Sequence, residues 1–112
     1  MIRAMLNRTD LERLMYIEAL LLANGSVSRA DLCRRFGFSV RSATRVLKIY
    51  MQHFPDQMEM RFAGYESDKP AYASLKSMSP RLFENVRQAR DFLDYSNAIE
   101  TALERASSLY PG

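Results

Sequence analysis

Basic side chains are concentrated in the first half of this 112-residue sequence. Residues 1–50 hold nine Lys/Arg against four Asp/Glu, whereas acids exceed bases by one in residues 51–76 and again in residues 77–112. Six of the cations share a short stretch with one acid, and they are Arg29, Arg34, Arg35, Arg41, Arg45 and Lys48. A one-signed cluster attracts phosphate, and arginine can form two hydrogen bonds with a guanine edge. The pattern predicts nucleic-acid binding, with an ordinary solvated helix face as the alternative.

The sequence offers little for catalysis or metal binding. Cys33 is the only cysteine and His53 the only histidine, which excludes an intrachain disulfide and a Cys-rich or His-rich metal site. The sequence contains no glycine-rich phosphate loop, nucleophile elbow or pair of catalytic carboxylates. We therefore expect no enzymatic activity, no metal, no cofactor and no small-molecule ligand.

Composition and hydropathy indicate a small intracellular protein. The 47% apolar content of the chain is enough for the core of one compact domain. The N-terminus lacks the apolar segment of a signal peptide, and the longest apolar run, residues 19–23, is too short to cross a bilayer. We expect a soluble, cytoplasmic chain with one DNA-binding module and a short appendage.

Two helices joined by a tight turn are predicted to carry the basic cluster. Ser28 is a good N-cap for a short helix over residues 29–36, which Gly37 ends. Ser39 then caps a third helix that begins at Val40 and must end before Pro55. Helix, glycine-containing turn and helix form the layout of a helix-turn-helix.

The third helix has two distinct faces when its residues are plotted at 100° intervals. The predicted core face consists of Val40, Ala43, Leu47, Tyr50, Met51 and Phe54. The polar face consists of Arg41, Ser42, Arg45, Lys48 and Gln52. Ile49 falls on the exposed side, and its partner is left open between the wing, a thymine methyl group and a second subunit. Arg41 and Arg45 repel each other at this spacing, which an anionic partner would offset.

The flanking segments complete a winged helix. A capping box formed by Thr9 and Glu12 predicts a first helix that starts at Asp10, and Asn24 with Gly25 ends that helix. Residues 26–28 read as a very short strand with one buried valine. Residues 58–62 alternate apolar and polar side chains, which is typical of a strand. A turn over residues 63–70 and a return strand at 71–73 would form the wing.

The C-terminal segment is predicted to be helical and amphipathic. Ser79 and Pro80 form a typical helix start, and the polar stretch 94–97 leaves open whether one helix or two follow. Its apolar stripe either packs on the domain's own core or pairs with a second copy. We predict dimerisation through Val86, Leu93, Ile99 and Leu103. The expected division is a DNA-binding domain over residues 1–78 and a helical dimerisation segment over residues 79–112.

Ten residues are predicted to contact DNA, and they are Ser28, Arg29, Ser39, Arg41, Ser42, Thr44, Arg45, Lys48, Arg61 and Lys69. Those on the polar face of the third helix would enter the major groove, and those at helix N-termini would contact phosphate. Arg61 and Lys69 would reach phosphate from the wing. Glu66 and Asp68 near the wing tip would repel DNA, so we expect the wing to contribute less than the helix.

Residues 14–80 resemble the N-terminal winged helix-turn-helix of WYL-domain (DeoR-like) bacterial transcription regulators, including regulators of phage-defence operons. The resemblance is carried by the entry "SVSRADL" at residues 26–32, the turn at Gly37, residues 39–47, the exit at residues 54–56 and Tyr72. It agrees with the fold class that the residues themselves predict, which is mainly α with a small β-hairpin, followed by C-terminal amphipathic helices. The family's sensing domain would follow, but the chain has no tryptophan and so lacks the Trp-Tyr-Leu signature. Ligand sensing is therefore not carried over, and both a standalone protein and part of a longer regulator remain open.

The predicted function is sequence-specific binding of double-stranded DNA by a transcription regulator. We expect a homodimer that represses from an inverted-repeat operator, because a chain this small has little room to recruit polymerase. The alternative is a winged helix that binds another protein and never contacts DNA. The basic third helix argues against that alternative.

Overall fold

The structure is a computed structural model that describes residues 8–62 and 70–109. Its helices are α1 (Arg8–Asn24), α2 (Arg29–Phe36), α3 (Val40–His53) and α4 (Val86–Leu109). Its strands are β1 (Ser26–Ser28), β2 (Met58–Phe62) and β3 (Pro70–Ser74). The element order confirms the predicted winged helix-turn-helix with a C-terminal helical segment.

The core lies where the first three helices meet the sheet. Leu14 and Ile17 of α1, Leu32 of α2 and Leu47 of α3 are all fully buried. Burial of such side chains provides most of the driving force for packing the helices, at roughly 1.5–3 kcal/mol for each large aliphatic group. This packing fixes α3 against α1 and leaves its opposite face toward solvent.

The strands form one antiparallel sheet in the order β1, β3, β2. Val27 of β1 and Met60 of β2 both lie opposite Tyr72 of β3. Val27 and Tyr72 are buried, which anchors the wing to the body. The predicted hairpin is therefore part of a three-stranded sheet, because β1 pairs with β3 and adds a third strand.

The helix boundaries around the turn follow from their caps, as predicted. The Ser28 hydroxyl accepts the Asp31 N–H at 3.1 Å, and the Asp31 carboxylate accepts the Ser28 N–H at 2.9 Å. Gly37 ends α2 at φ 70°, in the left-handed region that glycine adopts without strain. Ser39 caps α3 by accepting the Ser42 N–H at 3.2 Å.

Two predicted helix starts are wrong. Thr9 lies inside α1, which already includes Arg8, so it cannot be the N-cap of a helix starting at Asp10. Residues 79–85 are not helical, and α4 begins at Val86. Asn85 is its cap, because its side chain accepts the Gln88 N–H at 2.8 Å.

The C-terminal segment is one helix of 24 residues, with no break at the polar stretch 94–97. Its first half packs against α1, where Ala89 and Leu93 join the core together with Phe83 from the segment before the helix. Leu93 is only 9% exposed, so it cannot serve a dimer interface as the apolar stripe suggested. Residues 101–108 are all exposed, and Leu103 among them is 60% exposed.

A buried carboxylate connects the helices to the segment before α4. Glu18 of α1 is fully buried, and its Oε2 accepts the backbone N–H groups of Arg81, Leu82 and Phe83 at 3.1, 2.7 and 3.3 Å. Its Oε1 accepts the hydroxyl of Tyr50 in α3 at 2.9 Å. Burial raises the pKa of Tyr50 well above its usual value, so the hydroxyl keeps its proton and donates.

Gln57 extends this network on the other side of Tyr50. Its side-chain oxygen accepts the Ser79 N–H at 3.1 Å, and its amide nitrogen donates to the Ser79 carbonyl at 2.5 Å. The same nitrogen lies 3.4 Å from the Tyr50 hydroxyl. Buried polar groups are costly unless they are hydrogen-bonded, so these contacts tie α1, α3 and residues 79–83 together.

Candidate nucleic-acid interface

The predicted cations converge on the exposed face of α3. Arg41, Arg45 and Lys48 are exposed, and Ser42 and Thr44 are half-buried beside them. An open depression of about 590 Å³ is lined by Arg29, Val40, Arg41, Thr44, Arg45 and Lys48. The structure therefore brings one cation from α2 and three from α3 around a single concave surface.

Arg45 forms an ion pair with Asp10 of α1. Its guanidinium lies 3.6 Å from the carboxylate of Asp10, which is also 3.9 Å from Arg13. Arg13 in turn lies over the ring of Phe38, 5.0 Å from its centroid. The Arg45 side chain is 54% exposed, so its ion pair with Asp10 is weak and partly neutralises the charge, and the guanidinium remains accessible to a ligand. Asp10 is a positioning residue that sequence reasoning missed, because no sequence pattern places the start of α1 beside α3.

Arg29 and Thr44 join the two helices of the motif. The Arg29 guanidinium donates to the Thr44 hydroxyl at 3.5 Å, and that hydroxyl donates to the Val40 carbonyl at 3.0 Å. Arg41 and Lys48 form no ion pair with the carboxylates that the structure describes. Their charges are thus available to an anionic partner.

Serine residues at the helix starts serve the protein's own backbone. Ser28 uses both its hydroxyl oxygen and its N–H in the capping box of α2, which leaves only its hydroxyl proton for a phosphate. Ser39 caps α3 and its hydroxyl lies 3.3 Å from that of Ser42. The carboxylate of Asp31 at the start of α2 also disfavours a phosphate there.

The wing contributes one described cation. Arg61 of β2 pairs with Glu59 on the same strand, with its Nε 2.7 Å from the carboxylate, so its charge is partly neutralised. Lys69, Glu66 and Asp68 lie outside the described residues. The described part of the wing is therefore a weaker attractor of phosphate than α3.

The burial of five residues in and just after α3 differs from the predicted faces. Val40, assigned to the core, is 54% exposed, whereas Val46, not assigned to it, is 2% exposed. Ile49, assigned to the exposed side, is half-buried and packs against the core. Met51 and Phe54 are only half-buried at the edge of the core. Periodicity gives the direction of a side chain around the helix axis. Its burial also depends on whether another element covers that turn of the helix.

The comparison with known families agrees with this geometry. Residues 10–98 match the model of the BrxR transcriptional regulator winged helix-turn-helix domain. The chain belongs to this family. It is thus a winged helix domain of a transcription regulator, as the resemblance implied.

The BrxR match extends beyond the wing. It includes residues 79–85 and the first half of α4, the part of that helix that packs against α1. No curated protein matches the chain. Within residues 8–62 and 70–109, no helix is long and apolar enough to cross a membrane.

Proposed function

We propose that this BrxR-type winged helix binds double-stranded DNA in a sequence-specific manner, with α3 in the major groove. The observation that carries the proposal is the set of four cations around the depression on the exposed face of α3. An α-helix fits the major groove, where each base pair presents a distinct pattern of donors and acceptors. A bacterial regulator of this kind would act in the cytoplasm, where the chromosome lies.

The side chains divide into two roles. Arg41, Arg45, Lys48 and Ser42 contact base edges, because they lie along the exposed face of α3. Arg29 contacts phosphate from α2, and the wing cations Arg61 and Lys69 add weaker contacts. Ser28 supports them only through its hydroxyl proton, and Ser39 contributes least because its hydroxyl caps α3 and contacts Ser42. Thr44 lies between the two sets. Phosphate contacts fix the register of the helix on the duplex, whereas base contacts carry the sequence information.

The chain acts as a homodimer in this proposal. One recognition helix reads few base pairs, and two copies about 34–36 Å apart would read an inverted repeat. Leu103 is exposed and Ile99 is half-buried one turn before it on the same face of α4. Val86 is also exposed, but it lies at the opposite end of the helix and on a different side. A second copy of α4 is the proposed occupant of this face. A dimer seated on its operator would repress by excluding polymerase.

Titration with a random-sequence duplex at several salt concentrations tests the DNA-binding proposal. The expected result is weak binding whose affinity falls steeply with salt, because cations on α3 displace counterions from phosphate. The logarithm of the affinity should fall linearly with the logarithm of the salt concentration. No binding at low salt would favour the alternative, a winged helix that binds another protein.

Replacing Leu103 with aspartate is expected to convert the dimer into a folded monomer, because a charge at an apolar contact loses its hydration. The mass is measured by light scattering at micromolar concentration. Thr101→Asp is the matched control, since it adds the same charge to the same exposed end of α4 on another face. A wild-type monomer, or a variant that stays dimeric, would remove α4 from the proposed interface.

A further inference from the structure

One apolar side chain lies among the cations that line the depression on α3. Val40, the first residue of α3, is 54% exposed and lines the depression with the four cations and Thr44. A single exposed valine is ordinary on a protein surface. This one, however, occupies the part of α3 that the proposed function places against base edges. The other exposed side chains of that surface carry charge and can satisfy phosphates or polar base atoms.

Thr44 adds a second apolar group one helical turn away. Its hydroxyl donates to the Val40 carbonyl and accepts from Arg29, so both of its polar functions are engaged within the protein. The methyl group is therefore the part of the Thr44 side chain that can contact a ligand. Val40 and Thr44 are neighbours at i and i+4 on one helix face, and they form a small apolar site bordered by Arg41 and Arg45.

Resting on the proposed DNA binding, we propose that Val40 and the methyl group of Thr44 bind the C5-methyl group of a pyrimidine in the major groove. Thymine alone among the four unmodified bases presents an apolar group there. The surrounding cations suit the phosphates and guanine edges that flank such a base. The same methyl group occurs on 5-methylcytosine, which differs in its neighbouring polar atom. Val40 is thus a specificity-determining residue.

The test removes the methyl group from each partner in turn. A duplex selected from a random pool is prepared with each thymine replaced singly by deoxyuridine, which lacks only the C5-methyl group. At one thymine the wild-type chain is expected to bind about fourfold more weakly after this replacement, the effect of one buried methyl group. Val40→Ala is expected to bind the unmodified duplex more weakly by a similar factor, and to lose little more at that deoxyuridine.

Two controls keep the result interpretable. Leu11→Ala also truncates an exposed apolar side chain, on α1 and outside the depression, and should keep the full preference for thymine over deoxyuridine. Val40→Ala should keep its melting temperature, because Val40 is exposed and alanine is the better helix former. Thymines outside the contact should affect wild type and Val40→Ala equally.

A second set of duplexes identifies the source of the methyl group. The sensitive pair is replaced by cytosine–guanine and by 5-methylcytosine–guanine. A wild-type preference for 5-methylcytosine that Val40→Ala lacks extends the site to both methylated pyrimidines, and its absence restricts the site to thymine. Independent, additive effects of Val40→Ala and deoxyuridine at every thymine would overturn the assignment while leaving DNA binding intact. A chain that binds no duplex would overturn both.

Discussion

Glu18→Ala is expected to destabilise the domain by about 3 kcal/mol or more, a large part of the roughly 5–15 kcal/mol that stabilises a domain of this kind. The carboxylate accepts three backbone N–H groups and the Tyr50 hydroxyl in a site without solvent exposure. Truncation leaves four buried donors without their acceptor, and each such donor costs about 1–3 kcal/mol unless water replaces the oxygen. Urea unfolding followed by circular dichroism measures the effect.

Two further variants separate the hydrogen bonds from the general effect of changing α1. Glu18→Gln keeps the shape and one acceptor oxygen, so its loss of stability should be smaller than that of Glu18→Ala. Glu12→Ala changes an exposed glutamate of the same helix and should alter stability by less than about 0.5 kcal/mol. Equal effects of Glu18→Ala and Glu12→Ala would contradict the role assigned to the buried carboxylate.

Arg45→Ala is expected to weaken binding to the selected duplex by about 1–3 kcal/mol and to relax the preference at one base-pair position. Arg45 lies on the exposed face of α3, and its weak, exposed ion pair with Asp10 can be exchanged for a base contact at little cost. Affinities for the selected duplex and for duplexes with single substitutions measure both effects. Unchanged affinity and unchanged preference would remove Arg45 from the base-reading set.

Arg29→Ala is the matched comparison for Arg45→Ala. Arg29 is proposed to contact phosphate, which carries no sequence information. The change should weaken all duplexes about equally and reduce the slope of log affinity against log salt by about one unit. A position-specific effect of Arg29→Ala would show that the division between phosphate and base contacts is wrong.

The elements around the turn could be predicted because their signals are local. Ser28, Gly37 and Ser39 each act through a cap that involves residues within four positions. The bounds of α2, the start of α3 and the strand over residues 58–62 therefore agree with the sequence prediction. The convergence of Arg41, Arg45 and Lys48 also follows from helical periodicity alone.

The C-terminal segment could not be predicted in the same way. Ser79 and Pro80 suit a helix start, but the N–H of Ser79 is bound by Gln57 and those of residues 81–83 by Glu18. These partners lie 22 and more than 60 positions away in the sequence. A local signal for the true start existed, because Asn85 and Gln88 have the spacing of a capping box.

The exposure of Val40 and the contact between Asp10 and Arg45 depend on how α1 and α3 cross. Periodicity assigns Val40 the same side of α3 as Ala43 and Leu47, yet only the latter two are covered. Asp10 reads in the sequence as part of a helix start, and its place beside the DNA-facing surface is a tertiary contact. Both corrections bear on the candidate site, for which sequence analysis had named only cations and hydroxyl side chains.

The central claim is that the exposed face of α3 reads DNA sequence, and the affinity ratio between a selected and a random duplex tests it most directly. The chain is used for selection from a random pool, and both affinities are then measured at one physiological salt concentration. The expected result is an enriched sequence bound about 10³-fold more tightly than the random duplex, or more. A pool that does not enrich, or a ratio near one, would contradict sequence-specific recognition.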